Sequence, residues 1–506
     1  MDLKRALYAT WKANPEAPCL VDETQRWTLD QVVRRAVAIS RLIALGDPSE
    51  TGHVGLILPN GELCVTSFLG CLAADRAVVP INYLLSPPEV SCILDHAQVK
   101  LVLTVSAFRP LLEAVRQSGS PDVRPAYLDE MLAGFGAEQI QAALQSADPA
   151  ALDSGASDPN RTACLLYTSG TTGVAKGVIL THGNLVANCE SMRQTLEVLP
   201  NDVFLAILPL FHAFGMSTAL FLPLLSGSSI VLMRRFQPTT AVETVEREKV
   251  TILLMVGPMF ALMMKAASRE PGRLSSVRIA IAGGGPLSPS LAEEFQKRIG
   301  FPVYQGYGLT EASPVVATNH PWGSKPASVG RPLPGVSVEI RGDGNQPLPV
   351  GETGEIFVTG ENVMGGYYRN PEATAQAIDQ QGWLRTGDTG YLDADGYLYV
   401  TGRKKDMIIL AGEKIFPQEV EHILTAHPDI AEAAVVGVKD PLHGELPKAF
   451  LVLREGATFD ERAVRHWCAE RMASFKIPRD FEVLPELPKN TLGKVLKREL
   501  ANRSKT

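Results

Sequence analysis

Short apolar runs alternate with segments of helical periodicity along roughly the first 160 residues. Val32, Val33, Ala36, Ile39 and Leu42 mark one face of a helix that Thr28 or Asp30 can cap. The runs at 53–58, 77–82 and 101–104 read as strands, and a helix follows Pro59-Asn60-Gly61 through Leu72. This β-α-β-α rhythm predicts a parallel sheet flanked by helices. It fades between 116 and 160 into a polar connection with one amphipathic segment near 137–144. Residues 161–335 resume it, with strands at 164–167, 203–208, 228–232 and 251–256 and helices at 184–197, 216–225 and 239–248. From Val336 short alternating strands (336–340, 354–359, 391–393, 396–400) predict an antiparallel unit that ends at Gly402-Arg403-Lys404-Lys405-Asp406. Helices at 417–426, 460–471 and from Gly493, with strands at 430–439, 446–453 and 480–483, predict a final α+β lobe. The expected fold is α/β. A large N-terminal domain, 1–403, of helix-flanked, mostly parallel sheets carries a small β unit at about 336–403; a small mobile α+β C-terminal domain spans 404–506.

Composition narrows the class. With 506 residues the chain exceeds one core, and 45% hydrophobic with 20% charged residues is ordinary for a globular protein. A net charge of −7 gives no general drive toward nucleic acid or anionic membrane. The seven cysteines are odd in number, scattered and never in a CxxC arrangement, which points to a reducing compartment without a disulfide framework or zinc site. Residues 1–17 lack the apolar core of a signal peptide, so a cytoplasmic location is expected, with peripheral membrane contact left open. The longest apolar stretch, 250–264, is shorter than the ~20 residues of a membrane span and is interrupted by Gly257-Pro258. A strand followed by a helix starting at Pro258 accounts for it better.

Three loops carry candidate chemistry. The stretch from Cys164, CLLYTSGTTGVAKGVILTHGNL, is a strand, a loop with three glycines, four hydroxyls and Lys176, and a second strand. Glycines let the backbone approach a ligand, so N–H groups and hydroxyls can converge on an anion that the lysine offsets. The spacing is not that of the Walker loop. A Ser/Thr/Gly run is usually a solvated linker, but the flanking apolar strands argue against that here. The second loop follows the strand at 279–282 with Gly283-Gly284-Gly285, and the third is Gln305-Gly306-Tyr307-Gly308-Leu309-Thr310-Glu311. Ligands of α/β sheets bind beyond the carboxyl ends of strands, so three such strand ends predict one shared crevice.

Together with motifs downstream, these loops resemble the adenylate-forming superfamily of acyl-CoA ligases, nonribosomal adenylation domains and luciferases. Six motifs occur in the family's order over essentially the whole chain. The resemblance implies that Thr168, Ser169, Gly170, Thr171, Thr172, Gly173 and Lys176 bind the β- and γ-phosphates of ATP, with Ala175 replacing a common proline. It implies that His212, in Leu208-Pro209-Leu210-Phe211-His212-Ala213-Phe214-Gly215, lies beside the acyl site; a histidine among aromatics can equally be a core residue. Gly284 and Gly285, with Gly306, Tyr307 and Gly308, match the walls around adenine and the acyl group, Tyr307 stacking on the base. Thr310 and Glu311 match the α-phosphate and magnesium position, Glu311 being a hard oxygen ligand for Mg²⁺ alongside Thr168. Asp388, in Trp383-Leu384-Arg385-Thr386-Gly387-Asp388, and Arg403 match the ribose site. Lys405 matches the hinge, and Gly412 and Glu413 belong to a loop presented after the hinge turns. Lys494, in Pro488-Lys489-Asn490-Thr491-Leu492-Gly493-Lys494, matches the catalytic lysine, with Leu492 replacing a common serine.

The reaction so implied joins a carboxylic acid to ATP as acyl-AMP, releases pyrophosphate, and passes the acyl group to the thiol of CoA. ATP, Mg²⁺ and CoA are the implied cofactor and co-substrates. The nearest likeness is to medium- or long-chain fatty acyl-CoA ligases, since glycines at 283–285 would leave a tunnel open. Alternatives are aryl or dicarboxylic acids, an acyl carrier protein as acceptor, and a non-catalytic nucleotide-binding module, which Lys494, Glu311 and Asp388 together argue against. The resemblance leaves room for a homodimer. Arg471, Lys476 and Arg479 form a basic cluster that could meet CoA phosphates or simply face solvent.

Overall fold

Two mainly parallel sheets build the large N-terminal domain. The computed structural model describes all residues except 24, 48–51, 121, 135, 156, 169–175, 411–412, 441–443, 490–492 and 504–506. The first sheet has the spatial order Arg124–Tyr127, Leu101–Thr104, His53–Ile57, Ala77–Pro80, Thr162–Thr168, Lys176–Thr181. All its pairings are parallel except the last, an antiparallel hairpin. The second, nine-stranded sheet runs Arg331–Pro332, Val315–Thr318, Tyr304–Gly308, Ile279–Ala282, Ile252–Met255, Val203–Ala206, Ser229–Leu232, Pro18–Val21, Arg26–Thr28. Its parallel centre is closed by antiparallel strands at both edges.

Two expectations from the local rhythm change here. Strand Thr162–Thr168 pairs with Ala77–Pro80, so the phosphate-type hairpin belongs to the first sheet rather than to the unit at 161–335. Strand Pro18–Val21 conversely joins the second sheet beside Ser229–Leu232. Pairing over such separations is set by tertiary packing, which local periodicity does not encode. The polar connection at 116–160 contains an edge strand, Arg124–Tyr127, whose Pro125 is tolerated at an edge.

The largest core joins both sheets through helices Leu29–Gly46, Glu62–Ala73 and His182–Thr195. Thr28, not Asp30, caps the first of these in a reciprocal capping box with Gln31, worth about 1 kcal/mol. Val32, Val33, Ala36, Ile39 and Ile43 are buried along its face. Helix Glu62–Ala73 is buried on almost every side, and Gly70 lets it cross its neighbour closely: a Cβ there would lie 2.7 Å from Ile39 Cγ2. Helix Gly257–Ala267 carries Pro258 in its first turn, and among the described residues no helix is long and apolar enough to cross a membrane.

The antiparallel unit has the order Val336–Arg341, Gly354–Gly360, Leu384–Leu392, Leu398–Arg403. Its third strand begins at Leu384 rather than at 391, so Arg385 to Asp388 lie on a strand and not in a turn. Residues 408–501 form their own cores. Long strands Ile430–Asp440 and Gly444–Leu453 pair antiparallel, Asp480–Val483 adds parallel, and the short pair Ile408–Leu410 and Glu413–Ile415 completes the sheet. The last helix, Lys497–Arg503, starts later than the expected Gly493, whose φ of 77° places it in a left-handed turn.

Candidate active site

The hairpin places Thr168 opposite Lys176 at its mouth, so the two flank whatever its tip encloses. Ser169, Gly170, Thr171, Thr172 and Gly173 lie outside the described residues. A further segment runs along the second hairpin strand. Gly365 N–H donates to Ile179 O (2.9 Å), Ile179 N–H to Gly366 O (2.9 Å) and Tyr368 N–H to Gly177 O (2.7 Å), while Val178 bridges Tyr367. The Lys176 ammonium stands 4.8 Å from the ring centroid of Tyr367.

The Tyr304–Gly308 strand delivers Thr310 and Glu311 on a single 3₁₀ turn, Thr310–Ala312. Gly308 is required there, because a Cβ would lie 2.1 Å from Pro314 O. Two other segments, around Asn362 and Ser217, clamp the turn and its C-cap Ser313. Asn362 Nδ2 donates to Ala312 O (3.0 Å), Ser313 Oγ to Asn362 O (2.7 Å) and Ser217 Oγ to Ser313 O (2.7 Å). Met364 N–H donates to Glu311 O (2.9 Å). Glu311 Oε1 accepts the Tyr367 hydroxyl at 3.0 Å.

Asp388 is 5% exposed and receives Tyr307 Oη at Oδ2 (2.7 Å) and Arg403 Nε at Oδ1 (2.9 Å). Its N–H donates to Thr386 Oγ1 (3.0 Å). Tyr307 is thus anchored by its hydroxyl, and burial, with the Asp388 charge, holds that phenol well above the usual range, so it stays a donor. Gly306 packs against Thr318 Oγ1, and Gly284 adopts φ 75°. Gly283 and Gly285 differ. A Cβ on Gly283 would meet Phe214 Cζ at 2.7 Å, whereas among the described residues beyond its chain neighbours a Cβ on Gly285 would meet nothing within 4 Å. The space expected above Gly283 is therefore filled by an aromatic ring. His212, two residues before Phe214, keeps Nε2 buried with no hydrogen-bond partner among the described residues. Burial lowers its pKa to about 4, so it is neutral. A buried nitrogen without a partner is a group that calls for an explanation, and contact with a ligand is one.

The C-terminal domain contributes Lys494. Gly493 sits against the large domain, its Cβ position 3.5 Å from Pro258 Cγ. Burial lowers the pKa of the Lys494 ammonium, although the residue as a whole remains open to water. Arg403 and Lys405 push the same way, while Asp388 and Asp406 oppose them. Lys494 thus shares one charge cluster with the Asp388–Arg403 pair. Lys405 lies on the 3₁₀ turn Lys404–Asp406, directly after strand Leu398–Arg403. Gly412 lies outside the described residues, and the backbone of Glu413 begins the strand Glu413–Ile415. The basic cluster is largely neutralised: Arg471 stacks on Trp467 and pairs with Glu470, and Lys476 pairs with Glu419.

Sequence reasoning missed Tyr367, Asn362 and Asp406. Tyr367 had a signal in Gly365-Gly366-Tyr367-Tyr368, a glycine pair that permits close backbone approach, but its partner strand is almost 200 residues away.

The donor set suits a magnesium nucleotide. Among the described residues no group of three or more His, Cys, Asp or Glu could cage an ion. Mg²⁺ is commonly held by one or two carboxylates together with substrate phosphates, the role a lone Glu311 beside a phosphate-type hairpin can fill.

A family model described as AMP-binding enzyme matches residues 7–368, and one described as AMP-binding enzyme C-terminal domain matches 419–494. The chain is 35% identical over 507 residues to sulfoacetate–CoA ligase of Cupriavidus necator, covering 99% of this chain and 98% of that protein. It is 35% identical over 494 residues to 2-succinylbenzoate–CoA ligase of Bacillus subtilis, covering 97% and 96%. The solved structure of o-succinylbenzoate coenzyme A synthetase from Bacillus subtilis, in complex with ATP and magnesium ion, matches with a TM-score of 0.83 at 33% identity over 99% of each chain. This chain belongs to the AMP-binding, adenylate-forming family and is an AMP-forming acid–CoA ligase that uses ATP, Mg²⁺ and CoA.

Proposed function

We propose that the residues brought together at this crevice carry the two half-reactions as follows, with the domain boundary at Arg403/Lys404. The hairpin from Thr168 to Lys176 grips the β- and γ-phosphates. Asp388 accepts from ribose, and Arg403 and Tyr307 hold it in place. Glu311, with Thr168, faces the metal, whose charge when bound offsets that of the phosphates. Thr310 and Lys494 meet the α-phosphate as the substrate carboxylate attacks phosphorus and pyrophosphate leaves. Such phosphoryl chemistry is catalysed by positioning and charge neutralisation, which a lysine in the Asp388–Arg403 cluster can supply. A turn about Lys405 then withdraws Lys494 and brings Gly412 and Glu413 to the site, where the thiol attacks the acyl carbonyl and AMP leaves. The observation that carries this reading is Lys494, a C-terminal-domain residue set among Asp388, Arg403 and Lys405.

The acid we assign is compact, aryl or short, rather than a long acyl chain. The ring of Phe214 occupies the space above Gly283, and the buried Nε2 of His212 has no hydrogen-bond partner among the described residues. The relatives named for sulfoacetate and 2-succinylbenzoate fit the same class. A fatty acyl chain is the second reading, favoured by the open space at Gly285. Acid-dependent ATP–pyrophosphate exchange over short, aryl, dicarboxylic and fatty acids tests the choice. The highest kcat/KM should fall on a compact acid; a rise with chain length would overturn that assignment. Replacing CoA by a pantetheinylated carrier protein in the second step tests the acceptor, and faster transfer to the carrier would overturn CoA.

A further inference from the structure

The segment 365–368, which runs beside the hairpin, carries a side chain to which the two half-reactions assign nothing. The Tyr367 hydroxyl donates to Glu311 Oε1 at 3.0 Å, and its ring lies under the Lys176 ammonium at 4.8 Å. One tyrosine therefore touches a residue at the mouth of the hairpin and a residue on the 3₁₀ turn of the other sheet. Its backbone is fixed on both sides. Val178 bridges it on the hairpin, and its own N–H donates to Thr374 Oγ1 (2.8 Å) on helix Pro371–Ala377. Gly366, at φ 122°, makes room for that approach, since a Cβ there would lie 2.8 Å from Thr374 Cγ2. Burial and the Glu311 charge hold the phenol above its usual range, so it remains a donor.

We propose that Tyr367 is a positioning residue that occupies one oxygen of Glu311 and turns the other, together with the Lys176 ammonium, toward the magnesium-bound phosphates. The inference rests on the assignment of Glu311 as the metal-facing carboxylate. A carboxylate free to rotate offers either oxygen or both, whereas Mg²⁺ demands near-ideal octahedral geometry. Partners that orient a metal ligand from behind are commonly worth ten- to a hundredfold in metal affinity. Tyr367→Phe deletes the hydroxyl and keeps the ring over which Lys176 stands.

The test is Mg²⁺ titration of fluorescent ATP-analogue binding, without acid or CoA, in wild type, Tyr367→Phe and Glu311→Gln, with melting midpoints measured alongside. Tyr367→Phe should raise the half-saturating Mg²⁺ concentration by about ten- to a hundredfold. Nucleotide binding in EDTA should be unchanged, and the midpoint should stay within about 2 °C. A wild-type Mg²⁺ curve in Tyr367→Phe with a shifted curve in Glu311→Gln overturns the role of Tyr367 alone. An equal loss of binding with and without metal also overturns it, since that is the mark of a structural residue. A wild-type curve in Glu311→Gln overturns the Glu311 assignment itself, and the role of Tyr367 with it.

Discussion

The ammonium of Lys494 feels two cations, Arg403 and Lys405, and two carboxylates, Asp388 and Asp406, and its charge is what the reading above asks of it. Lys494→Ala should cost about 3 kcal/mol or more in ATP–pyrophosphate exchange, the scale of losing one preorganised donor, while thioester formation from supplied acyl-AMP is spared. Equal loss in both assays would remove the lysine from the adenylation step. Its pKa is lowered, so the charge is lost as pH rises through a value below the ordinary ~10.4. The alkaline limb of exchange should accordingly fall below that value, and Lys494→Arg should move it upward. Gly308 acts through space rather than charge. Gly308→Ala brings a Cβ into Pro314 O, backbone against backbone, and should cost about 2 kcal/mol or more in urea unfolding while displacing Glu311.

Among the elements, the hinge is the one whose backbone must change. Lys404 Nζ pairs with Glu355 at 2.9 Å, which pins the residue before Lys405 to the antiparallel unit. Lys405→Pro fixes φ near −65°, which suits the observed 3₁₀ turn and not a rotated one. Thioester formation should fall more than adenylation, measured as separate half-reactions; a parallel fall in both would place the pivot elsewhere. Elements defined by local periodicity were legible in the sequence. Helix Leu29–Gly46, strand Ile252–Met255 and the long C-terminal strands lie close to where their apolar spacing puts them. Elements defined by a distant partner were not. The hairpin reads as strand, loop and strand, yet nothing local says that it closes the first sheet, or that 365–368 would pair with it. The same limit applies to the site. Asp388 and Lys494 stand in motifs that the family resemblance singles out, whereas Tyr367 becomes visible only through its contacts, and the apparent void at Gly283 is filled by a ring that the glycine itself does not reveal.

Across the whole molecule, the N-terminal helix Leu3–Ala13 ties the two sheets together. Lys4 is buried and pairs with Asp75, just before strand Ala77–Pro80 of the first sheet, and Thr10 Oγ1 donates to Leu225 O (3.2 Å) beside the second. Leu3 N–H donates to Nδ1 of His182 (3.3 Å), the first residue of the helix that follows the hairpin. His182 is 1% exposed, and burial, with Arg161 adding to it, lowers its pKa to about 4. The folded state therefore prefers neutral imidazole, with Nδ1 as acceptor and the proton on Nε2. A histidine depressed from about 6.5 contributes stability that is fully present above the unfolded value and is lost as pH falls toward the folded one. The loss between pH 6.5 and 4 is on the order of 3 kcal/mol for this group, because the buried imidazole would have to carry its charge out of reach of water. Glutamine at this position can still accept from Leu3 N–H and does not titrate. Urea midpoints measured across that range should fall more steeply for wild type than for His182→Gln. Parallel slopes would show that the clasp of the N-terminal helix does not depend on the charge state of His182.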